Sequence, residues 1–313
     1  MIGPASFVNG RSGVRLDAAL LVEYPSSTRA FVRDAIAAGD VSVDGRRAAK
    51  GLKLRGGETV SVAKLLEESD NRVTPDPSVR TVCVFEDGSI LAFDKPAGIP
   101  VQPLSCRETG TLMNGVVARF RECATVGDSP LMAGALHRID AGTSGLVLVA
   151  RTQAAFDSLR AQFSAQTVNK TYLALVEGSV AVGGTLENDL AHDPTLPFCK
   201  MIDARRNRLA QAQRAALKPL HAVTAYRPIG MTTAGNEERT LLEVSIRTGV
   251  THQIRAQLAL AGMHIVNDRL YGAFAVENMA GHALHALSAE FVHPASGQAA
   301  KIETPWPAFA RFS

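Results

Sequence analysis

The spacing of apolar residues near the start of the chain predicts two short helices. Their inward-facing positions, which recur every three or four residues, are Leu16, Ala19, Leu20, Phe31, Ala35 and Ile36. Ser26 or Ser27 is the expected N-cap of the second helix, because a hydroxyl can accept a hydrogen bond from the free amides of a first turn. Gly39 is the expected C-terminal stop.

Alternating residues follow Gly39 and predict strands. Residues 41–43 alternate and run into an Asp-Gly turn, which favours a hairpin. Residues 59–62 alternate again after a Gly-Gly turn. Two helices followed by strands indicate a small domain over residues 14–64.

A polar stretch separates this domain from the rest of the chain. Residues 67–77 are charged, contain two prolines and lack apolar periodicity, as linkers do. We therefore expect a first domain at 14–64, a linker at 65–79 and a second domain at 80–313.

Helical and strand patterns are mixed in the second domain. Strands are predicted at residues 81–85, 90–93, 146–150, 171–176 and 241–246. Helices are predicted at 153–166, after the cap Thr152, and at 251–261, before Gly262. Because strands and helices do not alternate strictly, we expect an α+β fold whose largely antiparallel mixed sheet is flanked by helices.

Composition excludes several classes of protein. The chain of 313 residues is 46% hydrophobic, and no apolar run reaches the roughly 18 residues that cross a bilayer. Its first residues lack the features of a secretion signal, so we expect a cytoplasmic protein with no membrane partner. His282 and His285 lie close together without further ligands nearby, and we expect no metal. The cysteines expected to be reduced are Cys83, Cys106, Cys123 and Cys199.

The positive charge of the chain is concentrated near its start. The formal net charge is +3, and residues 14–64 contain nine basic and six acidic side chains. Local focusing of this kind attracts phosphate. Arg29 and Arg33 are four positions apart and share one helix face. They either contact nucleic acid or form a solvated face, and their spacing alone favours the second interpretation.

Asp140 is the carboxylate whose position most indicates chemistry. Residues 135–139 predict a buried strand before it, and a Gly-rich turn leads to the apolar strand 146–150. A carboxylate between two core strands has a rigid support. The alternative is an aspartate that only hydrogen-bonds its own turn, as Thr143 and Ser144 can also do.

Motifs in the first domain resemble the small S4-like RNA-binding domain, which is named after a ribosomal protein. They are Arg15-Leu16-Asp17, Ser27-x-Arg29, residues 32–36, Gly39-Asp40-Val41-x-Val43-Asp44-Gly45 and Gly56-Gly57-Glu58. The resemblance implies that Arg15, Arg29, Arg33 and neighbouring basic side chains contact RNA phosphates.

Five motifs of the second domain resemble those of the RluA/RluD-type family of pseudouridine synthases. In chain order they are Asp94-Lys95-Pro96-Ala97-Gly98, His137-Arg138-Ile139-Asp140-x-x-Thr143-Ser144-Gly145, Lys170-Thr171-Tyr172, Thr248-Gly249-x-x-His252-Gln253-Ile254-Arg255, and Leu284-His285-Ala286 with His293-Pro294. The resemblance implies the pseudouridine synthase fold and an enzyme that isomerises uridine in RNA without a cofactor.

The same resemblance implies roles for single residues. Asp140 would be the nucleophile, and Arg255 the cation that keeps it ionised, since a guanidinium can bind a carboxylate through two hydrogen bonds. Tyr172 would pack on the target base and help to move the proton from carbon 5. Arg138 would enter the RNA stack in place of the extruded uridine. Ile254 would pack beside the base or simply in the core.

Three departures from the family pattern weaken any transfer of substrate detail. They are Gln102, Val250 and Asn267, where the family often has His, Arg and Gly. The N-terminal domain favours large-subunit ribosomal RNA as the substrate, with tRNA as the alternative, and a monomer is the default.

Two other functions stay open at this point. A non-catalytic RNA-binding or ribosome-assembly protein on the same fold is expected to lack the nucleophile, whereas Asp140 is present. A hydrolase that pairs Asp140 with His137 is disfavoured, because residues three apart on a strand face opposite sides.

Overall fold

The computed structural model describes residues 1–196, 200–206, 209–234 and 237–311. It divides into two units, one made of Met1–Arg72 with Leu104–Arg107 and the other of Val73–Pro103 with Glu108–Ser313. Cys199 lies outside the described residues, and the other three cysteines are thiols. No helix in the described ranges is long and apolar enough to cross a membrane.

The first unit combines two helices with a four-stranded antiparallel sheet. The helices are α1 (Leu16–Glu23) and α2 (Arg29–Ala38). The strands, in the spatial order β1-β4-β2-β3, are β1 (Ala5–Val8), β2 (Val41–Val43), β3 (Arg46–Arg47) and β4 (Thr59–Val62). All six apolar positions predicted to face inward are buried, and Gly39 ends α2 in the left-handed conformation. The two helices and the two strand predictions are therefore confirmed, whereas β1 was not predicted.

The N-cap of α2 is Thr28, so the expectation of Ser26 or Ser27 was wrong. Thr28 has an extended backbone, and its hydroxyl accepts a hydrogen bond from the amide of Phe31 at 3.3 Å. The two serines instead donate hydrogen bonds to residues 66–67. The helix therefore begins where a hydroxyl lies three residues before a free amide.

The second unit is built around one large sheet. Its strands are β5 (Val82–Glu86), β6 (Ile90–Lys95), β7 (Ser144–Ala150), β8 (Asn169–Glu177), β9 (Gly184–His192), β10 (Met201–Asp203), β11 (Leu220–Ala234), β12 (Glu237–Ile246), β13 (Leu284–Val292) and β14 (Ala299–Glu303). Its helices are α3 (Leu112–Arg119), α4 (Gln153–Ser164), α5 (Gln211–Ala215) and α6 (Gln253–Leu260). Apart from residues 135–139, each element predicted for this domain is present, and Thr152 caps α4 as expected.

Strands of the large sheet lie in the order β10-β9-β11-β12-β8-β13-β7-β6-β5, and β14 pairs with β13. Among the described residues, every neighbouring pair is antiparallel except β13 with β7. Helix α4 packs on β7 and β13, and α6 packs on β9, β10 and β11. The expected α+β fold with a largely antiparallel mixed sheet is confirmed.

The parallel junction between β7 and β13 depends on Gly145. This residue lies opposite Ala286 and has a φ of +107°. A Cβ atom at Gly145 would overlap the backbone of Ala286. Only glycine combines this conformation with such a close approach. The junction therefore fixes the start of β7, and with it the turn that precedes this strand.

Residues 135–139 are not a strand, so that prediction was wrong. Within this segment Ala135 forms an isolated bridge to Val149. Further along, the amide of Leu148 donates a hydrogen bond to His137 Nε2 at 3.1 Å, where a backbone carbonyl would be needed to continue a ladder. The segment that leads to Asp140 is therefore held by a side chain as well as by the backbone.

Candidate active site

Asp140 lies at the end of this extended segment, at the start of the tight turn before β7. Its backbone carbonyl accepts a hydrogen bond from the amide of Thr143 at 3.0 Å. Its side chain is 27% exposed, Arg138 is exposed and Ile139 between them is buried. The backbone thus presents Arg138 and Asp140 to solvent on a well-packed support, since side chains two apart on extended backbone lie on one side.

The carboxylate of Asp140 is bound by Arg255 from helix α6. Arg255 Nη1 donates to Asp140 Oδ2 at 2.8 Å, and the arginine side chain is buried. The same guanidinium donates from Nε and Nη2 to the two carboxylate oxygens of Asp268, at 2.7 and 2.8 Å. The guanidinium of Arg255 therefore binds one carboxylate through two hydrogen bonds, but that carboxylate is not Asp140. The bidentate partner is Asp268, and Asp140 receives one bond.

Two carboxylates, those of Asp140 and Asp268, share the one buried guanidinium of Arg255. Burial alone would lower the pKa of Arg255, but the hydrogen bonds and charges of Asp268 and Asp140 raise that pKa above its usual value. Arg255 is therefore permanently charged. Within the described residues, Asp140 Oδ1 has no protein donor, so this oxygen can face a substrate while Oδ2 is held.

His252 is the histidine beside Asp140. It precedes α6 in the left-handed conformation, with a φ of 52°, and its Nε2 lies 3.8 Å from Asp140 Oδ2. Its Nδ1 hydrogen-bonds to the hydroxyl of Tyr271 at 3.2 Å. Burial lowers the pKa of His252 although Asp140 opposes this shift. The ring is therefore neutral at physiological pH, and the permanent positive charge at Asp140 is that of Arg255.

Lys95 anchors the turn that follows Asp140. The ammonium is fully buried and donates to the backbone carbonyls of Pro96, Ile99 and Ala141 at 2.8, 2.8 and 3.2 Å. Burial lowers the pKa of Lys95 to about 8, with Asp140 opposing the shift. Three carbonyl acceptors thus tie the residue after Asp140 to the loop that follows β6.

Tyr172 and Ile254 are both buried in the main core of the second unit. Burial raises the pKa of Tyr172, and the nearby charge of Asp140 raises it further. The phenol is therefore protonated at neutral pH and lies within electrostatic range of Asp140. The structure thus brings together Asp140, Arg255 and Tyr172 of the predicted site residues. Ile254 is 4% exposed, which fits a core role.

His137 does not share the surroundings of Asp140. Its ring stacks on Phe163, with 5.3 Å between the ring centroids, and Nε2 accepts the amide of Leu148. Loss of solvent around the ring, with a contribution from Lys170, lowers the pKa of His137 to about 3. A histidine that is neutral and occupied in this way is a poor partner for hydrolysis by Asp140.

Two further histidines hold the turn after Asp140 in place. His282 Nε2 hydrogen-bonds to Thr143 at 2.7 Å, and His285 bridges Ser144 and Thr304 at 2.9 Å each. Burial lowers the pKa of both rings to about 4. In the part of the chain that the structure describes, no group of three or more histidine, cysteine or acidic side chains could hold a metal ion. Through their hydrogen bonds the two histidines hold the turn after Asp140.

The departures at Asn267 and Val250 have a local explanation. Asn267 has a φ of 65°, which asparagine tolerates, so it can stand where glycine is common. Its side chain amide donates to the carbonyls of Met279 and Gly281. The amide of Val250 donates to Gln253 Oε1 at 3.2 Å, an interaction that needs no arginine side chain. Gln102 is half-buried, and no contact explains it.

The N-terminal arginines differ in their surroundings. Arg29 and Arg33 are exposed on α2, and Arg33 lies 3.7 Å from Asp34. Arg15 is also exposed, but it forms two hydrogen bonds to Asp17, at 2.9 and 2.8 Å. Its charge is already matched, so α2 presents the more available cations. Residues that line a groove beside α2 include Arg33, Arg47 and Lys50.

Sequence reasoning assigned no role to Lys95, His252 or Asp268. Lys95 and His252 belong to motifs that were recognised, so their presence near Asp140 could have been inferred. Asp268 is 13 positions beyond Arg255 and lies outside the five motifs of the second domain. The one feature of the sequence that pointed to Asp268 was its position directly after Asn267, where the family often has glycine.

Comparison with known proteins places these features in context. The model of a family described as RNA pseudouridylate synthase matches residues 89–260, and that of the S4 domain matches residues 14–60. A ribosomal large subunit pseudouridine synthase D from Xanthomonas campestris pv. campestris is 36% identical, over 95% of this chain and 86% of that protein. The protein of the same name from Nitrosomonas europaea is 35% identical, over 95% of this chain and 82% of its own length.

Other similar proteins extend this pattern. An uncharacterized RNA pseudouridine synthase from Chloroflexus aurantiacus is 34% identical over 94% of this chain and 87% of its own length. The solved structure of human RNA pseudouridylate synthase domain containing 1 has a TM-score of 0.59 at 21% identity. It covers 75% of this chain and 87% of that chain. At this identity the likeness concerns the fold alone.

Proposed function

Because the chain belongs to the RNA pseudouridylate synthase family, we propose that Asp140 is the nucleophile with which it converts uridine to pseudouridine in large-subunit ribosomal RNA. The reaction class follows from the family. The nucleophile, the supporting residues and the choice of RNA are the parts proposed here.

The reaction rearranges bonds without oxidation or reduction. The bond between ribose C1′ and uracil N1 breaks, and a bond between C1′ and C5 forms. One proton leaves C5 and one is gained at N1, so the product is an isomer of the substrate. Such chemistry requires a nucleophile, a way to hold the detached base and a route for one proton, and it needs no redox cofactor.

The arrangement of Asp140, Arg255 and Asp268 is the observation that supports this assignment most. A guanidinium held by its two hydrogen bonds to Asp268 can donate to Asp140 Oδ2 without moving, which keeps the carboxylate of Asp140 oriented. Oδ1 then faces the substrate. An attacking group prepared in this way loses little orientational freedom when RNA binds.

Tyr172 and Arg138 complete the proposed site. The protonated phenol of Tyr172, buried near Asp140, is suited to pack against the uracil ring and to pass on a proton. Arg138 is exposed two residues before the nucleophile, where it can fill the space left by an extruded nucleotide. Extrusion costs a few kcal/mol, which contacts of this kind offset.

The choice of large-subunit ribosomal RNA rests on the names of the relatives and on the S4 domain. The exposed arginines of α2 support phosphate contacts by that domain. We further propose that the enzyme acts as a monomer in the cytoplasm. The alternative substrate within the same class is tRNA.

Pseudouridine mapping of total RNA, from cells with and without the gene for this chain, tests the proposal. Loss of one or a few sites in large-subunit ribosomal RNA is the expected result. Loss of sites in tRNA alone would replace the proposed substrate with the alternative. An unchanged map would contradict the proposal.

A further inference from the structure

A loop of residues 273–281, here called the Phe274 loop, is fixed to the site at both ends. At its start, the amide of Ala273 donates to the backbone carbonyl of Asp268 at 3.2 Å. At its end, a Cβ atom on Gly281 would overlap the backbone of Gly142, two residues after the nucleophile. The amide of His282 then donates to the carbonyl of Gly142 at 3.3 Å. The loop therefore spans from the carboxylate that holds Arg255 to the turn that carries Asp140.

The middle of the loop is also tied down. Asn267 accepts a hydrogen bond from the amide of Val276 at 2.9 Å and donates to the carbonyls of Met279 and Gly281. The side chain of Asn267, the residue directly before Asp268, thus binds the loop at three points. These hydrogen bonds and the two anchored ends fix the conformation of the loop, so a side chain that projects from it has a defined position.

Phe274 is that side chain, and it is 82% exposed. A phenyl ring left in water on a loop that is fixed to the site at both ends has apolar surface available for a ligand. The loop has no lysine or arginine, and it carries the exposed Glu277. Its tip is therefore unsuited to phosphate and suited to an uncharged aromatic partner.

A cation for the neighbouring phosphate lies just before the loop. Arg269 is exposed, directly after Asp268, and within the described ranges it has no acidic partner. Arg138 is likewise exposed and without an acidic partner in those ranges. Exposed aromatic rings together with cationic side chains are the combination with which proteins bind unpaired nucleotides, since the ring stacks on the base and the cations contact the phosphate backbone.

We propose that Phe274 is a stacking platform for an unpaired RNA base next to the extruded uridine, and that Arg269 contacts the adjoining phosphate. This inference rests on the proposed function and adds to it a contact for a flanking nucleotide. Stacking on an aromatic ring tolerates any base and is worth about ten-fold in affinity. The contact therefore strengthens RNA binding near the site and does not choose the sequence.

Kinetics on the shortest RNA transcript that the wild-type enzyme modifies test this contact. Phe274→Ala is expected to raise KM about ten-fold with kcat unchanged, and Phe274→Tyr is expected to restore the wild-type KM. Val182→Ala is the matched control, because Val182 is 75% exposed elsewhere in the second unit. It should leave both constants unchanged.

Abasic substitution of single nucleotides around the target uridine identifies the partner. The wild-type enzyme should lose affinity at one flanking position, and Phe274→Ala should be insensitive to the abasic change at that position alone. Wild-type KM in Phe274→Ala, or equal sensitivity of both enzymes at every position, overturns the stacking inference while leaving the proposed function intact. A wild-type enzyme that modifies no RNA overturns both.

Discussion

Arg255 reaches Asp140 with one hydrogen bond, from Nη1 to Oδ2 at 2.8 Å, while two other nitrogens of the same guanidinium bind Asp268. The cation that faces the proposed nucleophile is therefore itself fixed by a second, buried carboxylate. Lysine has one ammonium in place of this fork and cannot reproduce the three-bond arrangement.

Replacing Arg255 with lysine should lower kcat at least a hundred-fold while RNA binding persists, because the ammonium cannot serve both carboxylates. Arg255→Met should in addition destabilise the fold by about 3–5 kcal/mol, since it leaves the buried Asp268 without a counter-ion. Single-turnover kinetics and urea unfolding separate the two effects. Near-normal turnover in Arg255→Lys would refute the proposed ion pair.

Asp268 should behave as a positioning residue. Asp268→Asn keeps the shape of the side chain but removes the charge that holds Arg255, so we expect kcat to fall about ten- to a hundred-fold with little change in KM. Glu122→Gln is a matched control, because Glu122 is also bound to an arginine, Arg151, at 2.7 Å. If both variants lose activity equally, or if KM alone rises, Asp268 has no specific link to turnover.

The arginines of α2 should carry part of the salt dependence of RNA binding. Replacing Arg29 and Arg33 with alanine should weaken binding and reduce the slope of log Kd against log salt by roughly 0.7–0.9 for each phosphate that the variant no longer neutralises. Arg15→Ala should have a smaller effect, since Asp17 already neutralises Arg15. Equal slopes in the wild type and the double variant would show that the two arginines are only a solvated face.

His282 and His285 should make stability depend on pH. Burial lowers the pKa of each to about 4, whereas an unfolded histidine titrates near 6.5. Between these values the unfolded state binds a proton that the native state does not. The contribution of each neutral ring to the free energy of unfolding is therefore fully present above about pH 6.5. It falls as the pH drops towards 4, by up to about 1.4 kcal/mol per pH unit for each histidine.

Urea unfolding of the wild type and of His285→Gln, at pH 7.5 and 5.5, checks this linkage. Between the two pH values the free energy of unfolding of the variant should fall by about 1.3 kcal/mol less than that of the wild type, a difference of about half a proton on average. Loss of the bonds to Ser144 and Thr304 lowers its stability at both pH values, so the slope is the relevant quantity. Identical slopes would contradict the assignment of a neutral buried ring.

Much of the fold could be predicted because local rules decide it. Helices α2 and α4 follow from apolar spacing and their stop or cap, and β4 follows from alternation after a turn. The extended segment before Asp140 could not be predicted, because the His137 ring takes an amide that pattern alone would give to a partner strand. Side chain competition for backbone donors is invisible in a hydrophobic pattern.

In the site, too, some features could be predicted from the sequence and others could not. Asp140 and Arg255 were expected to meet because two motifs carry them. Asp268 and the Phe274 loop were not expected, since their positions depend on the left-handed Asn267 and on the contact between Gly142 and Gly281. Such contacts are long-range and leave little trace in spacing.

Pseudouridine formation by Asp140→Asn, on the RNA that the wild-type enzyme modifies, tests the central claim most directly. Asparagine keeps the size of the side chain but cannot act as the ionised nucleophile. The account predicts no detectable product, with the affinity for RNA and the unfolding midpoint close to those of the wild type. Product formation at a substantial fraction of the wild-type rate would contradict it.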